Sequence, residues 1–377
     1  MFGKSVKLFT LFGFEVKVDA SWLVIAFLVT WSLASGFFPH YFPNLDQSTY
    51  WLLGVLGAIG LFASILFHEF WHSWVARGYG MPMHGITLFI FGGISEMHDE
   101  PPSPKIEFFV AVVGPLSSIV LGFIFAGLEL LSEGAEWPAH YSGIFGYLAL
   151  INWVVAGFNL IPAFPLDGGR ILRSALWKWK NDLRRATQLA TGAGEVFGVI
   201  LIVLGVVSIL TGNIVGGVWY VIIGMFLRGS AQMAYKQLIM KQTLKGDPVR
   251  KHMSPDPVTV SPDVPVNELV EDYFYKYHFK MFPVVDNGQL RGCVHSKQLK
   301  EIGREKWAGM KVADLAGQCS EENTVSPDTD VMDALSHMRR SGNSRMLVVD
   351  EGGRLAGVVA LKDLMSYLSL RMDLGSD

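Results

Sequence analysis

Long uncharged apolar runs recur through roughly the first 230 residues and then cease. Ser21–Phe38 carries no charge and meets Pro39, and Leu52–Phe67 is uncharged as far as His68-Glu69-Phe70-Trp71-His72. Phe108–Leu128 and Tyr141–Leu166 are likewise uncharged, although Pro162 and Pro165 break the second near its end. Val196–Leu227 is uncharged too, with Thr211-Gly212-Asn213 interrupting it. A helix crosses ~30 Å of hydrocarbon with about 20 apolar residues. The runs therefore predict six spans, at about 21–38, 52–76, 106–131, 141–162, 195–211 and 213–230, the last two as tilted helices extended at their ends. Between the second and third spans, Ile86–Ser95 is rich in β-branched and aromatic residues and reads as a strand.

Beyond residue 230 the pattern becomes that of a water-soluble domain, and it repeats. Val258–Asp263 recurs as Asn323–Asp328, Phe282–Gly288 as Met346–Gly352, and Gly292-Cys293-Val294 as Gly357-Val358-Val359. Amphipathic stretches lie between the matching blocks, such as Val331–Arg340 with Leu335 and Met338 on one side. Each unit reads strand–helix–strand–turn–strand–helix, an internal duplication. The expected plan is a membrane domain over 1–230, a linker over 231–245, and repeats over 246–305 and 306–371.

Composition sharpens this division. Half of the 377 residues are hydrophobic, only 17% are charged, and the mean hydropathy is +0.33. A soluble chain is about a quarter charged, and the deficit here belongs to the first part. The fold class expected is a multi-pass α-helical membrane protein with a C-terminal α/β tandem domain. The net charge of −3, with no lysine or arginine run, points away from nucleic acid. Lys4, Lys7 and Lys17 precede the first apolar run, and no small-residue cleavage site follows it, so that run is expected to be a retained helix. Cys293 and Cys319 show no disulfide pattern, which fits a reducing compartment.

Charge also predicts orientation. With a cytoplasmic N-terminus, the outer connections 39–50, 132–140 and 211–213 hold no lysine or arginine. The inner ones hold Arg77 and Lys105, then Arg170, Arg173, Lys178, Lys180, Arg184 and Arg185. The positive-inside rule then places both termini in the cytoplasm, and a prokaryotic plasma membrane is the expected location.

The candidate chemistry lies at two span ends. His68 and His72 stand four apart, so on a helix both imidazoles face one point and can share a metal. Glu69 beside them can accept a proton from water held there. A plain hydrogen-bonded His/Glu cluster is the bland alternative, but an ionised carboxylate at bilayer depth costs at least ~3 kcal/mol and is usually functional. Asp167, in Asn159-Leu160-Ile161-Pro162-Ala163-Phe164-Pro165-Leu166-Asp167-Gly168-Gly169-Arg170, follows an uncharged run and reaches the same depth on the cytoplasmic side. Two histidines and one carboxylate leave a fourth zinc position open, the catalytic arrangement. His84 and His98 read as solvated loop residues, and Glu107, Glu129 and Glu195 as solvated span-end residues. A competing reading is a transporter or channel with Glu69 and Asp167 as an ion path, although it has no need of HExxH spacing.

HExxH in the second span with NxxPxxPLDGGR after the fourth resembles the site-2 protease family of intramembrane zinc metalloproteases. Phe91-Gly92-Gly93 and Ala111-Val112-Val113-Gly114-Pro115-Leu116 are further matches, and the resemblance covers about 15–230. It implies that His68, His72 and Asp167 bind Zn2+, that Glu69 is the catalytic base, and that Asn159 lies near the substrate. An exposed strand around Gly92 and Gly93 can receive the unwound substrate by edge pairing. The expected activity is endopeptidase cleavage of single-span transmembrane proteins near their cytoplasmic side, amid membrane lipid.

The duplicated tail resembles a tandem pair of cystathionine-β-synthase-type (CBS) domains, over about 246–370. Such pairs commonly bind adenine nucleotides through a Ser/Thr-x-x-Asp pattern. The second repeat has Ala360-Leu361-Lys362-Asp363, keeping the Asp without the hydroxyl, whereas His295-Ser296-Lys297-Gln298 in the first has lost both. The resemblance therefore implies one nucleotide position at Asp363, or a structural or homodimerising pair, regulating the membrane domain.

Overall fold

A computed structural model describes residues 5–90, 92–97, 100–244, 246–300, 302–317 and 323–373. Lys4, Phe91, His98 and Cys319, singled out above, lie outside the described residues. The chain divides into two compact units, Met1–Lys236 and Gln237–Asp377.

The first unit opens with a hairpin that the apolar runs did not reveal, β1 (Val6–Leu11) and β2 (Phe14–Val18). Phe14, Val16 and Val18 are buried while Glu15 and Lys17 are half-buried, the two-residue alternation of a strand with one covered face. Asp19 caps α1 (Ala20–Tyr41) and Asp46 caps α2 (Gln47–Gly78), each accepting from a first-turn backbone N–H. Next come β3 (Met83–Phe89) and β4 (Gly92–Met97), so the strand expected over Ile86–Ser95 is two strands of a hairpin, with Gly92 at φ 129° in its turn.

The sheet order is β1-β2-β3-β4, with β2 and β3 parallel and the outer pairs antiparallel. Parallel neighbours need a long crossover. Here α1 and α2 supply it, leaving the sheet and returning to it. Among the described residues no strand pairs with the outer side of β4, which is therefore an edge.

The remaining helices are α3 (Pro104–Gly134), α4 (Ala139–Asn159), α5 (Asp167–Lys180), α6 (Leu183–Leu210) and α7 (Ile214–Leu244). Six are long and apolar enough to cross a membrane, namely α1–α4, α6 and α7. Leu23, Phe27, Phe123, Leu131, Val203 and Val215 are exposed on them, as side chains facing lipid would be. Glycines bring α6 and α7 together, since a Cβ on Gly198 would meet the Gly224 carbonyl at 2.7 Å and one on Gly205 the Gly217 carbonyl at 2.6 Å. α7 runs on through most of 231–245, the expected linker, because Ala231–Leu244 holds strong helix formers with no Gly or Pro.

The second unit shows the duplication directly. β5 (Met281–Asp286) and β6 (Gln289–His295) form a hairpin, and Val260 bridges in parallel to Val284. In the second copy β7 (Thr324–Val325) runs parallel to β8 (Arg345–Val349), which pairs with β9 (Leu355–Ala360). The helices α8 (Ser296–Lys300), α9 (Val331–Ser341) and α10 (Leu361–Asp373) complete the repeats. Each copy has its own apolar core, and Met281, Cys293 and Leu347 form a smaller cluster joining the two hairpins.

Candidate metal centre

His68 and His72 lie one above the other on α2 and are buried, as is Asp167 at the first position of α5. Asp167 Oδ2 is 3.0 Å from His68 Nε2 and 3.1 Å from His72 Nε2, and the two ring nitrogens are 3.2 Å apart. They are the group of His, Cys, Asp and Glu found able to share an ion among the described residues. Tetrahedral zinc with bonds of 2.0–2.1 Å separates its ligand atoms by about 3.3 Å. The donor set has nearly that spacing.

The other ring nitrogens decide which lone pairs converge. His72 Nδ1 is 2.6 Å from the Val110 carbonyl, which can only accept, so Nδ1 carries the proton and Nε2 presents its lone pair. His68 Nδ1 is 2.9 Å from Ser118 Oγ, a hydroxyl able to accept from it in the same way. With both histidines neutral and protonated at Nδ1, three lone-pair atoms point at one spot, an arrangement that a cation relieves. Gly114 leaves the space: a Cβ there would stand 2.2 Å from His72 Nε2 and 2.6 Å from His68 Nε2. The residues present fit a bound zinc ion.

Backbone packing fixes the turn that delivers Asp167. A Cβ on Gly168 would meet the carbonyls of Leu160 and Ile161 at 2.3 Å, one on Gly169 the Phe164 nitrogen at 2.2 Å, and one on Gly194 the Phe164 carbonyl oxygen at 1.9 Å. Side chains are excluded from all three contacts, which accounts for the Gly-Gly after Asp167.

Glu69 is half-buried beside the trio, and its Cγ would lie 2.6 Å from a Cβ on Gly93 of the edge strand β4. Gly93, and with it the neighbouring Gly92, is thereby brought to the centre. Asn159 is not joined to the trio by any hydrogen bond found; at the last position of α4, its Nδ2 donates to the Val155 carbonyl at 3.0 Å. Asp363 stands exposed in the first turn of α10. A cavity of about 390 Å³ in the same repeat is lined by Thr324, Ser326, His337 and Asp350 among others, without Asp363. Gln298 is tied to its own surroundings, accepting from the His295 N–H at 2.6 Å and donating to the Leu315 carbonyl at 2.8 Å.

Glu107 overturns the expectation of a solvated span end. It is fully buried and paired with Arg173 of α5, which supplies the neutralising charge that water was expected to replace. Glu129 and Glu195 are half-buried, with Gln232 donating to Glu195 at 3.1 Å. Val110 and Ser118 were not singled out in the sequence, and Gly114 stood there only within the Ala111–Leu116 match. Their signal was a period of three to four that places Glu107, Val110, Gly114 and Ser118 on one face of α3.

The chain matches peptidase family M50 over residues 56–142 and 130–205, and the CBS domain over 249–304 and 312–370. A Mycobacterium tuberculosis protein named as a zinc metalloprotease, Rip3, is 33% identical over 95% of this chain and 91% of its own. A zinc metalloprotease of Methanocaldococcus jannaschii is 28% identical over 97% of this chain and 96% of its own. The solved structure of a site-2 protease from that archaeon is 27% identical, covering 61% of this chain and 94% of its own with a TM-score of 0.43.

Proposed function

The chain belongs to the M50, site-2-type family of zinc metalloproteases and carries tandem CBS domains, and from that premise we propose an intramembrane endopeptidase acting on single-span membrane proteins. The observation that carries the proposal is the convergence of His68, His72 and Asp167, with Glu69 set between them and the edge of β4. His68 Nε2, His72 Nε2 and Asp167 Oδ2 are the ligands. Bound there, zinc supplies the Lewis acidity that lowers the pKa of water and polarises the scissile carbonyl. Glu69 takes the proton from the attacking water and returns it to the leaving amine. The ion-path alternative lapses with the family assignment.

A helical substrate hides its carbonyls in its own hydrogen bonds and must unwind before attack. The free edge of β4 offers the unwound segment backbone partners, and Gly92 and Gly93 leave room for it beside Glu69. Asn159, if released from Val155, is the side chain we assign to the substrate backbone. Six crossings return the C-terminus to the side of the N-terminus, and the basic connections favour the cytoplasm for that side. Cleavage near the cytoplasmic end then releases a cytoplasmic fragment. In the tail we assign adenine nucleotide to Asp363, as a regulatory ligand.

Glu69→Gln is expected to hold about one zinc per chain while losing cleavage of a membrane-anchored reporter, since Glu69 is a base and not a ligand. Metal analysis and reporter cleavage are the measurements. Parent-like turnover at equal zinc content would remove Glu69 from the mechanism. Expressed in its native cell, the same variant should accumulate the single-span proteins it fails to cut.

A further inference from the structure

One stripe of α3 serves both halves of the metal centre. Ser118 and the Val110 carbonyl orient His68 and His72 on α2, and Gly114 leaves their space. Glu107, a turn earlier on the same face, reaches instead to α5, where its Oε1 accepts from Arg173 Nε at 2.6 Å and lies 2.5 Å from Nη2. Glu107 is 0% exposed and Arg173 5%. Glu100 takes a further contact from Arg173 Nη2 at 3.2 Å.

Arg173 follows Asp167 by under two turns of α5, and its guanidinium carbon is 5.3 Å from the centre of the Phe164 ring. Phe164 stands in the turn that leads into Asp167, with its N–H on the Ala190 carbonyl at 3.3 Å and its backbone pressed by Gly169 and Gly194. The pair therefore grips both the helix that carries Asp167 and the turn before it.

We infer that Glu107 and Arg173 are positioning residues for the metal centre, fixing Asp167 against the same stripe of α3 that orients the two histidines. The inference rests on the ligand assignment made above. A ligand must be held to within about 0.5 Å to bind well, and partners behind the ligands typically change metal affinity by about 10- to 100-fold. Stability alone is a weak reason for such a pair, because buried ion pairs can often be replaced by apolar residues without loss of fold. Removing one partner strands the other charge, so single variants are prone to misfold. The double variant is the informative one.

Full-length protein in detergent, stripped of zinc and titrated against a competing chelator, reports zinc affinity independently of turnover. Glu107→Gln combined with Arg173→Met should bind zinc about 10- to 100-fold more weakly, while the zinc-free protein keeps its thermal midpoint. Arg173→Lys, which keeps the charge but not the forked contact, should fall between the two. Parent-like zinc affinity in the double variant overturns the inference. So does a loss of affinity matched by collapse of the zinc-free midpoint, with Arg173→Lys behaving as the parent. Asp167→Ala in the same titration separates the two readings. If it binds zinc as the parent does, the ligand assignment fails; if it loses zinc while the double variant keeps it, the positioning role alone fails.

Discussion

In the tandem unit, Val331, Leu335, Met346, Val348, Val359 and Leu364 meet in one apolar cluster, and Val260, Leu269, Phe282, Val284 and Val294 meet in another. In the membrane unit the apolar clusters are smaller, and polar and close backbone contacts join the helices beside them. His68 meets Ser118, His72 the Val110 carbonyl, Asn152 donates to Ser64, Glu107 holds Arg173, and Gly198 abuts Gly224. Solvent explains the difference. In water, each Å² of apolar surface buried stabilises by about 25 cal/mol. Between lipid-facing helices that gain is small, since acyl chains are as apolar as leucine, so close backbone approach and polar contacts specify the packing. Exposed ion pairs occur in both units, Lys311–Asp263 in the tandem one and Lys7–Glu15 in the membrane one, whereas Glu107–Arg173 is buried.

The largest expected effect comes from adding one carbon at a membrane-unit glycine. Gly114→Ala puts a Cβ where it meets both histidine Nε2 atoms, so the ligand geometry cannot persist. Losing the metal forfeits water activation and carbonyl polarisation, together several kcal/mol, so turnover should fall by about 10³-fold or more. Zinc content per chain and reporter cleavage at matched expression are the readouts. Full zinc and full cleavage would mean that α3 does not shape the centre.

A smaller effect, confined to the other region, is expected from Leu364→Ala. The side chain is fully buried in the second-repeat core, and truncations of this kind cost about 2–5 kcal/mol. Calorimetry should show an earlier transition for the tandem unit, while zinc content stays at the parent value. Zinc loss in step with that transition would contradict two separately stabilised regions.

What could be read from the sequence followed the same division. The spans were legible because lipid demands long uncharged runs, and the repeats because the two copies share turns and strands. His68, Glu69, His72 and Asp167 stood out because charged and metal-binding side chains are costly within or beside such runs. The β1–β2 hairpin was hidden because its alternation, Phe14, Val16 and Val18 against Glu15 and Lys17, is only five residues long and adjoins an apolar span. Glu107 was misplaced because a carboxylate near a span end ordinarily finds water, and only the fold brings Arg173 to it, 66 residues later. Val110 was invisible for a different reason: its contribution is a backbone carbonyl, which any residue carries.

Asp167 and Asp363 extend the comparison to ligand binding, for each stands in the first turn of its helix. Asp167 is buried beside His68 and His72, whereas Asp363 is exposed. A carboxylate accepting both ribose hydroxyls makes charge-assisted hydrogen bonds worth about 1.5–3 kcal/mol. Asp363→Ala in the full chain should therefore weaken nucleotide binding by about 10- to 150-fold, the smallest of the three effects. Gln298→Ala should change it little, because both ends of that amide are already engaged by the His295 N–H and the Leu315 carbonyl. Calorimetric titration with ATP, ADP and AMP measures both variants. Equal weakening by the two would make the repeats equivalent in binding, against the asymmetry of their side chains. No heat from the parent at millimolar nucleotide would leave the tail a structural or dimerising pair. Where binding is found, it can regulate cleavage only by favouring one of two arrangements of the chain, so turnover must change when nucleotide is added.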